Sequence, residues 1–175
     1  MSKIQDSKSF LPNAFTFTNL SLGIFSLLMT FQSKYLISSL AILCAGLIDR
    51  YDGKIARFFN ASSEIGKELD SLADLVSFGV APSMLLYFLY EFNVFGILGY
   101  ILLIIFPIAG AYRLAKFNIA DFDNVYTGIP ITVAGAIIAF FALLTHRTPC
   151  NLFITIIIFL LSAYLMVSKI KFKKF

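Results

Sequence analysis

Four aspartates are spaced so that two pairs of carboxylates could bind one ligand group. Asp49 and Asp52 lie three residues apart in the sequence, and Asp70 and Asp74 lie four apart. On α-helices these spacings place both members of a pair on one face, so that the two pairs can point to one place. Four anions at the low-dielectric edge of an apolar protein repel one another unless a divalent cation neutralises them. Because carboxylate oxygens favour magnesium, manganese or calcium over zinc, we predict a site for one or two such ions.

The residues that follow the first pair suit a diphosphate. Gly53 and Ala56 lie on the same predicted helical face as that pair, and Arg57 lies at the edge of the face. Small side chains let a ligand approach the backbone, and a guanidinium can hold two phosphate oxygens at once. A metal site and an arginine beside a cleft together indicate a diphosphate site.

Ordinary ion pairing is the alternative interpretation of these charges. Charged side chains near the ends of membrane helices often extend to the aqueous interface, and Asp49 could pair with Lys54. Glu68 is predicted to point nearly opposite the second pair of aspartates, so we leave it out of the site. The convergence of four acids, with small residues between them, favours the metal site.

The elements that carry these residues are predicted to be membrane helices. Of the 175 residues, 59% are hydrophobic and only 14% are charged, and the mean hydropathy of +0.86 exceeds that of a water-soluble domain. A helical crossing needs about 20 apolar residues. We predict an all-α integral membrane protein with six spans, at residues 11–31, 35–48, 72–90, 95–114, 129–145 and 152–167. The second span is predicted to continue as a helix to about Phe59.

The polar N-terminal segment, residues 1–10, lacks the apolar stretch and the cleavage site of a signal peptide, and we predict a short interfacial helix there. Cytoplasmic flanks of membrane proteins hold an excess of lysine and arginine. With both termini on one side, that side holds all of the fourteen basic residues except Lys34 and Arg147. We therefore predict cytoplasmic termini, a cell-membrane location with the acid site facing the cytoplasm, and one domain over residues 1–175 that ends in a basic tail, residues 169–175.

The acidic stretch matches a known pattern at eight fixed positions. It reads Asp49-x-x-Asp52-Gly53-x-x-Ala56-Arg57, eight further residues, then Gly66-x-x-x-Asp70-x-x-x-Asp74. This stretch resembles the signature of the CDP-alcohol phosphotransferases, membrane enzymes that make phospholipids. Six spans with cytoplasmic ends are also the fold of that family.

The resemblance implies a direct displacement, in which an alcohol attacks the phosphorus next to the lipid glycerol of a CDP-linked lipid and CMP leaves. It implies that Asp49 and Asp70 bridge two divalent cations, Mg²⁺ or Mn²⁺, with Ca²⁺ as a non-productive occupant. Asp52 would bind one ion and Asp74 the other, and Asp74 would also take the proton from the attacking hydroxyl. The nucleotide and the diphosphate would be lined by Gly53, Ala56, Arg57 and Gly66, with Ser63 as a hydroxyl contact.

The first span resembles that of the family branch that transfers to serine. The stretch FLPNAFTFTNLSLGIFS has five matching positions, at Pro12, Asn13, Thr16, Asn19 and Gly23. Polar side chains inside a span need a partner, and Asn13 and Thr16 lie at the edge where the cytidine would bind. We take these two residues as candidate nucleotide contacts. Helix capping and hydrogen bonds between helices are the alternative roles.

Three later stretches, SFGVAPSMLL, YRLAKFNI and YTGIPI, resemble the same branch, the last with a small departure. Arg113 and Lys116 bring positive charge to the cytoplasmic end of the fourth span, and the carboxylate of an amino acid needs a cation. We therefore take Arg113, Lys116 and Asn118 as candidates for serine binding. They could instead be positive flanking residues that contact anionic lipids.

The predicted partners are CDP-diacylglycerol or CDP-archaeol, L-serine and membrane lipids, with no nucleic acid. The resemblance also implies a homodimer. Glycerol phosphate or inositol phosphate as the acceptor is the first alternative, because a phosphate would also suit the two cations. A small ion channel or transporter is the second alternative, and it predicts acids spread through the depth of the membrane rather than gathered at one edge.

Overall fold

The computed structural model describes the backbone at residues 2–58, 64–119, 126–148, 150–168 and 171–172. Within those ranges, side chains are described at residues 13–51, 64–119, 128–148, 150 to 168. Ser63 lies outside the described residues. The side chains of Asp52, Gly53, Ala56 and Arg57 also lie outside them, although their backbone is helical.

The described chain is almost entirely helical. Its α-helices are α1 (Ser2–Phe31), α2 (Tyr35–Phe58), α3 (Glu64–Asp74), α4 (Ala81–Leu89), α5 (Ile97–Ile119), α6 (Ile131–Thr145) and α7 (Leu152–Val167). A π-helix, Leu75–Val80, joins α3 to α4, and a 3-10 turn, Phe92–Phe95, precedes α5. Two short strands, β1 (Tyr126–Thr127) and β2 (Lys171–Phe172), pair antiparallel. This pair joins the segment before α6 to the segment after α7. The predicted all-α class is confirmed at the level of helix content.

Each predicted span overlaps helical structure, and the third extends over the end of α3, the π-helix and α4. Among the described residues, three helical segments are long and apolar enough to cross a membrane, at Asn13–Phe31, Glu64–Leu89 and Ile97–Ile119, and α6 and α7 are shorter apolar helices. The predicted bounds of α7 are confirmed, as is the continuation of α2 past the apolar run. The count of six spans and the cytoplasmic placement of the termini stay predictions.

Three boundaries differ clearly from the sequence prediction, and one of them is the end of α5, which continues past the predicted residue 114 to Ile119. The predicted interfacial helix is not a separate element, because α1 runs without a break from Ser2. Pro12 lies inside α1, where it removes one backbone hydrogen bond without ending the helix. The third predicted span begins earlier, at Glu64. The first turns of α3 carry charged residues, so the apolar run on which the prediction was based does not include them.

The π-helix lies at the centre of the packing. Its Phe78 is fully buried among residues of α2, α4 and α6. Two glycines let neighbouring helices come close to it: a side chain at Gly23 of α1 would collide with Ser77, and a Cβ at Gly135 of α6 would lie 2.6 Å from the Phe78 carbonyl oxygen. Helices α1 and α6 therefore close on the π-helix from two sides.

Helices α1 and α2 form an antiparallel hairpin that hydroxyl groups hold together at the end opposite the acids. The Ser38 hydroxyl is 2.8 Å from the Ser26 hydroxyl and 2.7 Å from the Thr30 hydroxyl, and all three side chains are buried. The turn passes through Ser33 in the left-handed region, with φ of 57°. Buried hydroxyls that satisfy one another fix the register of two helices, and this register sets which residues of α1 face the acids on α2 and α3.

Candidate active site

Three of the four predicted acids meet at one point. Asp49 of α2 and Asp70 and Asp74 of α3 each offer a carboxylate oxygen, and these oxygens all lie within 4.8 Å of one another. Asp74 is buried, and the other two are half-buried. We call Asp49, Asp70 and Asp74 the acid cluster. The side chain of Asp52, the fourth predicted ligand, lies outside the described residues.

The carboxylates of the acid cluster repel one another because they lie close together. Asp74 is repelled by both Asp49 and Asp70, and its burial removes the water that would solvate its charge. The attraction of Arg113 and a hydrogen bond from Asn19 favour the charged form of the Asp74 carboxylate. Carboxylates this close need a cation between them if all are to stay ionised. An all-oxygen donor set of this kind fits Mg²⁺, Mn²⁺ or Ca²⁺, so the residues present suit the ions predicted from the sequence.

Within the part of the chain whose side chains are described, α1 and α6 each donate a hydrogen bond to the acid cluster. The Asn19 amide on α1 donates to Asp74 Oδ1 over 3.1 Å, and the Thr132 hydroxyl on α6 donates to Asp49 Oδ2 over 3.3 Å. Sequence reasoning assigned no role to either residue. Asn19 belongs to the stretch that resembles the first span of the family, which is a signal that could have drawn attention to it. Thr132 offers no such signal, because its contact depends on how α6 packs against α2.

Arg113 and Asn118 of α5 lie near the acids but differ in what they contact. Arg113 is half-buried, close enough to Asp74 to attract its charge, and its guanidinium lies 5.9 Å from the centre of the Phe117 ring. The Asn118 amide donates to Glu68 Oε1 over 3.2 Å and to the Ser71 hydroxyl over 3.0 Å.

Asn118 therefore joins the end of α5 to α3. Lys67 reinforces this contact by donating to the Asn118 carbonyl oxygen over 3.2 Å. Glu68 lies outside the acid cluster, as the sequence predicted, and serves this contact instead. The third candidate for serine binding, Lys116, is exposed.

The candidate nucleotide contacts that are described lie on two of the same helices. Thr16 is buried and Asn13 is half-buried, both about one to two turns before Asn19 on α1. Gly66 is half-buried one turn before Asp70 on α3. Their roles toward a nucleotide stay predictions, as do those of Gly53, Ala56, Arg57 and Ser63.

A comparison with known protein families decides the family of the chain. The family model described as CDP-alcohol phosphatidyltransferase matches residues 9–168, which is nearly the whole length. The chain belongs to the CDP-alcohol phosphatidyltransferase family. The resemblance inferred from the eight-position signature is therefore confirmed.

Similar members of this family share one name. The protein named CDP-diacylglycerol--serine O-phosphatidyltransferase from Helicobacter pylori is 35% identical over 173 residues, which cover 94% of this chain and 72% of that protein. The protein of the same name from Bacillus subtilis is 36% identical over 175 residues, covering 95% of this chain and 92% of the relative. That from Methanocaldococcus jannaschii is 38% identical over 141 residues, covering 80% of this chain and 66% of the relative.

Proposed function

We propose that this chain transfers a phosphatidyl or archaetidyl group from a CDP-linked lipid to the hydroxyl of L-serine and releases CMP. The observation that carries the proposal is the acid cluster, in a chain that aligns along most of its length with relatives named for this reaction. A bond forms between the serine oxygen and the phosphorus next to the lipid glycerol. The bond from that phosphorus to the oxygen of the CMP phosphate breaks, and the serine hydroxyl proton goes to Asp74.

The four aspartates are proposed to hold two divalent cations, Mg²⁺ or Mn²⁺. Asp49 and Asp70 would contact both ions, Asp52 would contact one, and Asp74 the other. Bound there, the ions would neutralise the diphosphate and the charge that develops on the leaving CMP. Asp74 is the most buried member of the acid cluster, and a carboxylate beside such ions can remain ionised and accept a proton near neutral pH.

The CDP group is proposed to bind along the cytoplasmic ends of α1, α2 and α3. A guanidinium at Arg57 suits the diphosphate because it can bind two phosphate oxygens in a fixed geometry. The remaining proposed contacts are Asn13, Thr16, Gly53, Ala56, Ser63 and Gly66.

Arg113 is the strongest candidate for binding the serine carboxylate. Its positive charge attracts the carboxylate of Asp74, the proposed base, and we propose that one serine molecule contacts both groups. Asn118 contributes less directly, because its amide hydrogens are engaged with α3. Lys116 would attract anionic substrate or lipid from the exposed surface.

The position of Arg113 also favours one alternative class of acceptor. A guanidinium next to the base would suit the phosphate of glycerol phosphate or inositol phosphate as well as the carboxylate of serine. A channel or transporter is less well supported, because the three acids described in the cluster gather at one level instead of following the depth of the membrane.

We further propose a multi-pass membrane protein of one domain, residues 1–175, that acts as a homodimer with its active site facing the cytoplasm.

The test is an acceptor panel with purified protein. The protein is given CDP-diacylglycerol, Mn²⁺ and one labelled acceptor at a time, and both CMP and lipid-bound label are measured. We expect equal amounts of CMP and lipid-bound serine, and little product with glycerol phosphate or inositol phosphate. Turnover only with a phosphorylated acceptor would reject serine.

A matched pair of variants links the activity to the acid cluster. Asp70→Asn should abolish transfer, whereas Glu68→Gln should retain it, because Glu68 is an acid of the same helix that lies outside the cluster. Equal activity of the two variants would contradict a catalytic role for the cluster.

A further inference from the structure

A hydrogen bond connects the first helix to the proposed base. The Asn19 amide on α1 donates to Asp74 Oδ1 over 3.1 Å, and the two residues are 1% and 7% exposed. The reverse orientation of the amide would place its oxygen against a carboxylate oxygen, so the chemistry selects the orientation with the N–H toward Asp74. Asn19 therefore acts on Asp74 as a donor.

The backbone of Asn19 is itself fixed. The Ser77 hydroxyl of the π-helix donates to the Asn19 carbonyl oxygen over 3.0 Å, and both residues are buried. Gly23, one turn further along α1, leaves the space that Ser77 occupies. The close packing of α1 at Gly23 against the element that directly follows Asp74 thus keeps the donor in place.

Fold stability does not explain the choice of asparagine at this position. The other amide atom of Asn19, Oδ1, is buried and has no hydrogen-bond partner in the described structure. A buried acceptor left unpaired destabilises a fold, whereas an apolar side chain of similar volume would leave no such atom. The feature of Asn19 that remains to be explained is its contact with Asp74.

The carboxylate of an aspartate rotates easily unless it is held. Its terminal torsion has a broad energy profile, and the neighbouring charges of Asp49 and Asp70 repel it. A donor on Oδ1 restrains this rotation and leaves Oδ2 for the ligand role. Hydrogen bonds of this type, behind a metal ligand, commonly contribute 10- to 100-fold to metal affinity or activity.

From this geometry we infer that Asn19 is a positioning residue, whose amide orients the Asp74 carboxylate within the acid cluster. The inference rests on the proposed function, because it deepens the role given there to Asp74. In this role Asn19 acts through its hydrogen bond to Asp74.

The test compares Asn19→Leu with Ser77→Ala in the full-length protein. Asn19→Leu keeps a side chain branched at Cγ and removes the donor to Asp74. Ser77→Ala removes the buried hydrogen bond from the π-helix to the Asn19 carbonyl oxygen, and it leaves both the Asn19 donor and the close packing at Gly23 in place. The measurements are kcat, the KM for serine and for CDP-diacylglycerol, and the Kd for Mn²⁺ from the electron paramagnetic resonance signal of the free ion.

We expect Asn19→Leu to lower kcat about 10- to 100-fold, to leave both KM values within about twofold, and to weaken Mn²⁺ binding. Ser77→Ala should stay within about threefold of the wild type in kcat and in Mn²⁺ affinity. If Asn19→Leu does not fold, Asn19→Ser, whose hydroxyl is too short to reach Asp74, carries the same expectation.

Two results would overturn the inference: wild-type kcat and Mn²⁺ affinity in Asn19→Leu, or equal losses in Asn19→Leu and Ser77→Ala. The second result would indicate a general disturbance of helix packing. A wild-type protein that transfers to no acceptor would refute the proposed function instead, and the Mn²⁺ measurement would still decide the role of Asn19.

Discussion

Replacing Asp70 by asparagine should make the metal-free protein more stable while it abolishes activity. In the absence of a cation, Asp70 lies within 4.8 Å of two other carboxylates. At that distance, two unit charges repel by about 3.5 kcal/mol at an effective dielectric constant of about 20. Because Asp70 is only half-buried, solvent screening reduces this repulsion, and we expect a gain of about 1 to 2 kcal/mol in the free energy of unfolding. For a chain of this length, that gain raises Tm by about 2 to 8 °C.

The assay is thermal unfolding of the detergent-solubilised protein, followed by far-ultraviolet circular dichroism in EDTA and in Mn²⁺. In EDTA, Asp70→Asn should unfold at a higher temperature than the wild type. Adding Mn²⁺ should raise the Tm of the wild type and change that of Asp70→Asn much less, because a ligand that binds only the folded state stabilises it. Glu68→Gln is the control and should respond to Mn²⁺ as the wild type does.

A lower stability of Asp70→Asn than of the wild type in EDTA would contradict a repulsion among the three carboxylates. An equal rise in the Tm of both proteins with Mn²⁺ would contradict a role for Asp70 in binding the cation. Either result would mean that the carboxylate of Asp70 is stabilised within the folded protein by something other than a bound cation.

Three further predictions concern single residues of the site. Asp74→Asn should lower kcat by about 100- to 10,000-fold, the usual contribution of a general base, while CDP-diacylglycerol still binds in a filtration assay. Substantial residual turnover would mean that Asp74 is not the general base. Arg113→Ala should raise the KM for serine about tenfold or more, because a charged hydrogen bond is lost, and it should leave the KM for CDP-diacylglycerol unchanged. The comparison is Lys116→Ala, at an exposed position, and an unchanged KM for serine in Arg113→Ala would mean that Arg113 does not bind serine. Thr132→Val should weaken the activation by Mn²⁺ about threefold to tenfold, because it removes a hydrogen bond from a neutral hydroxyl to Asp49, whereas Thr132→Ser keeps the hydroxyl and should be activated as the wild type is. Equal activation of the two variants would show that the hydroxyl does not support Mn²⁺ binding.

Local patterns predicted the helices and the gathering of the acids. The apolar run of residues 152–167 gave the bounds of α7, because an uninterrupted apolar segment begins and ends where the helix does. The spacing of three and four residues placed the aspartates on shared faces, and the structure brings Asp49, Asp70 and Asp74 together as expected. Helical periodicity is sufficient within each pair, whereas the meeting of Asp49 with Asp70 and Asp74 was predicted from the need to neutralise four nearby anions.

Contacts between distant helices could not be predicted in the same way. Asn19 and Asp74 are 55 residues apart, and Asp49 and Thr132 are 83 apart, so their hydrogen bonds depend on how four helices, α1, α2, α3 and α6, pack together. The π-helix is also a product of packing, because its wider turn lets Ser77 and Phe78 meet α1 and α6 at their glycines. The early start of α3 was missed because its first turns are polar, and apolar runs were the guide to the spans.

The most direct test of the account is a crystal structure of the protein with Mn²⁺ and CDP, in which manganese is located by its anomalous scattering. We predict two manganese positions at the acid cluster, each bonded to carboxylate oxygens of Asp49, Asp70 or Asp74 and facing the diphosphate. No anomalous density among these carboxylates, with each one paired to a basic side chain instead, would contradict the account.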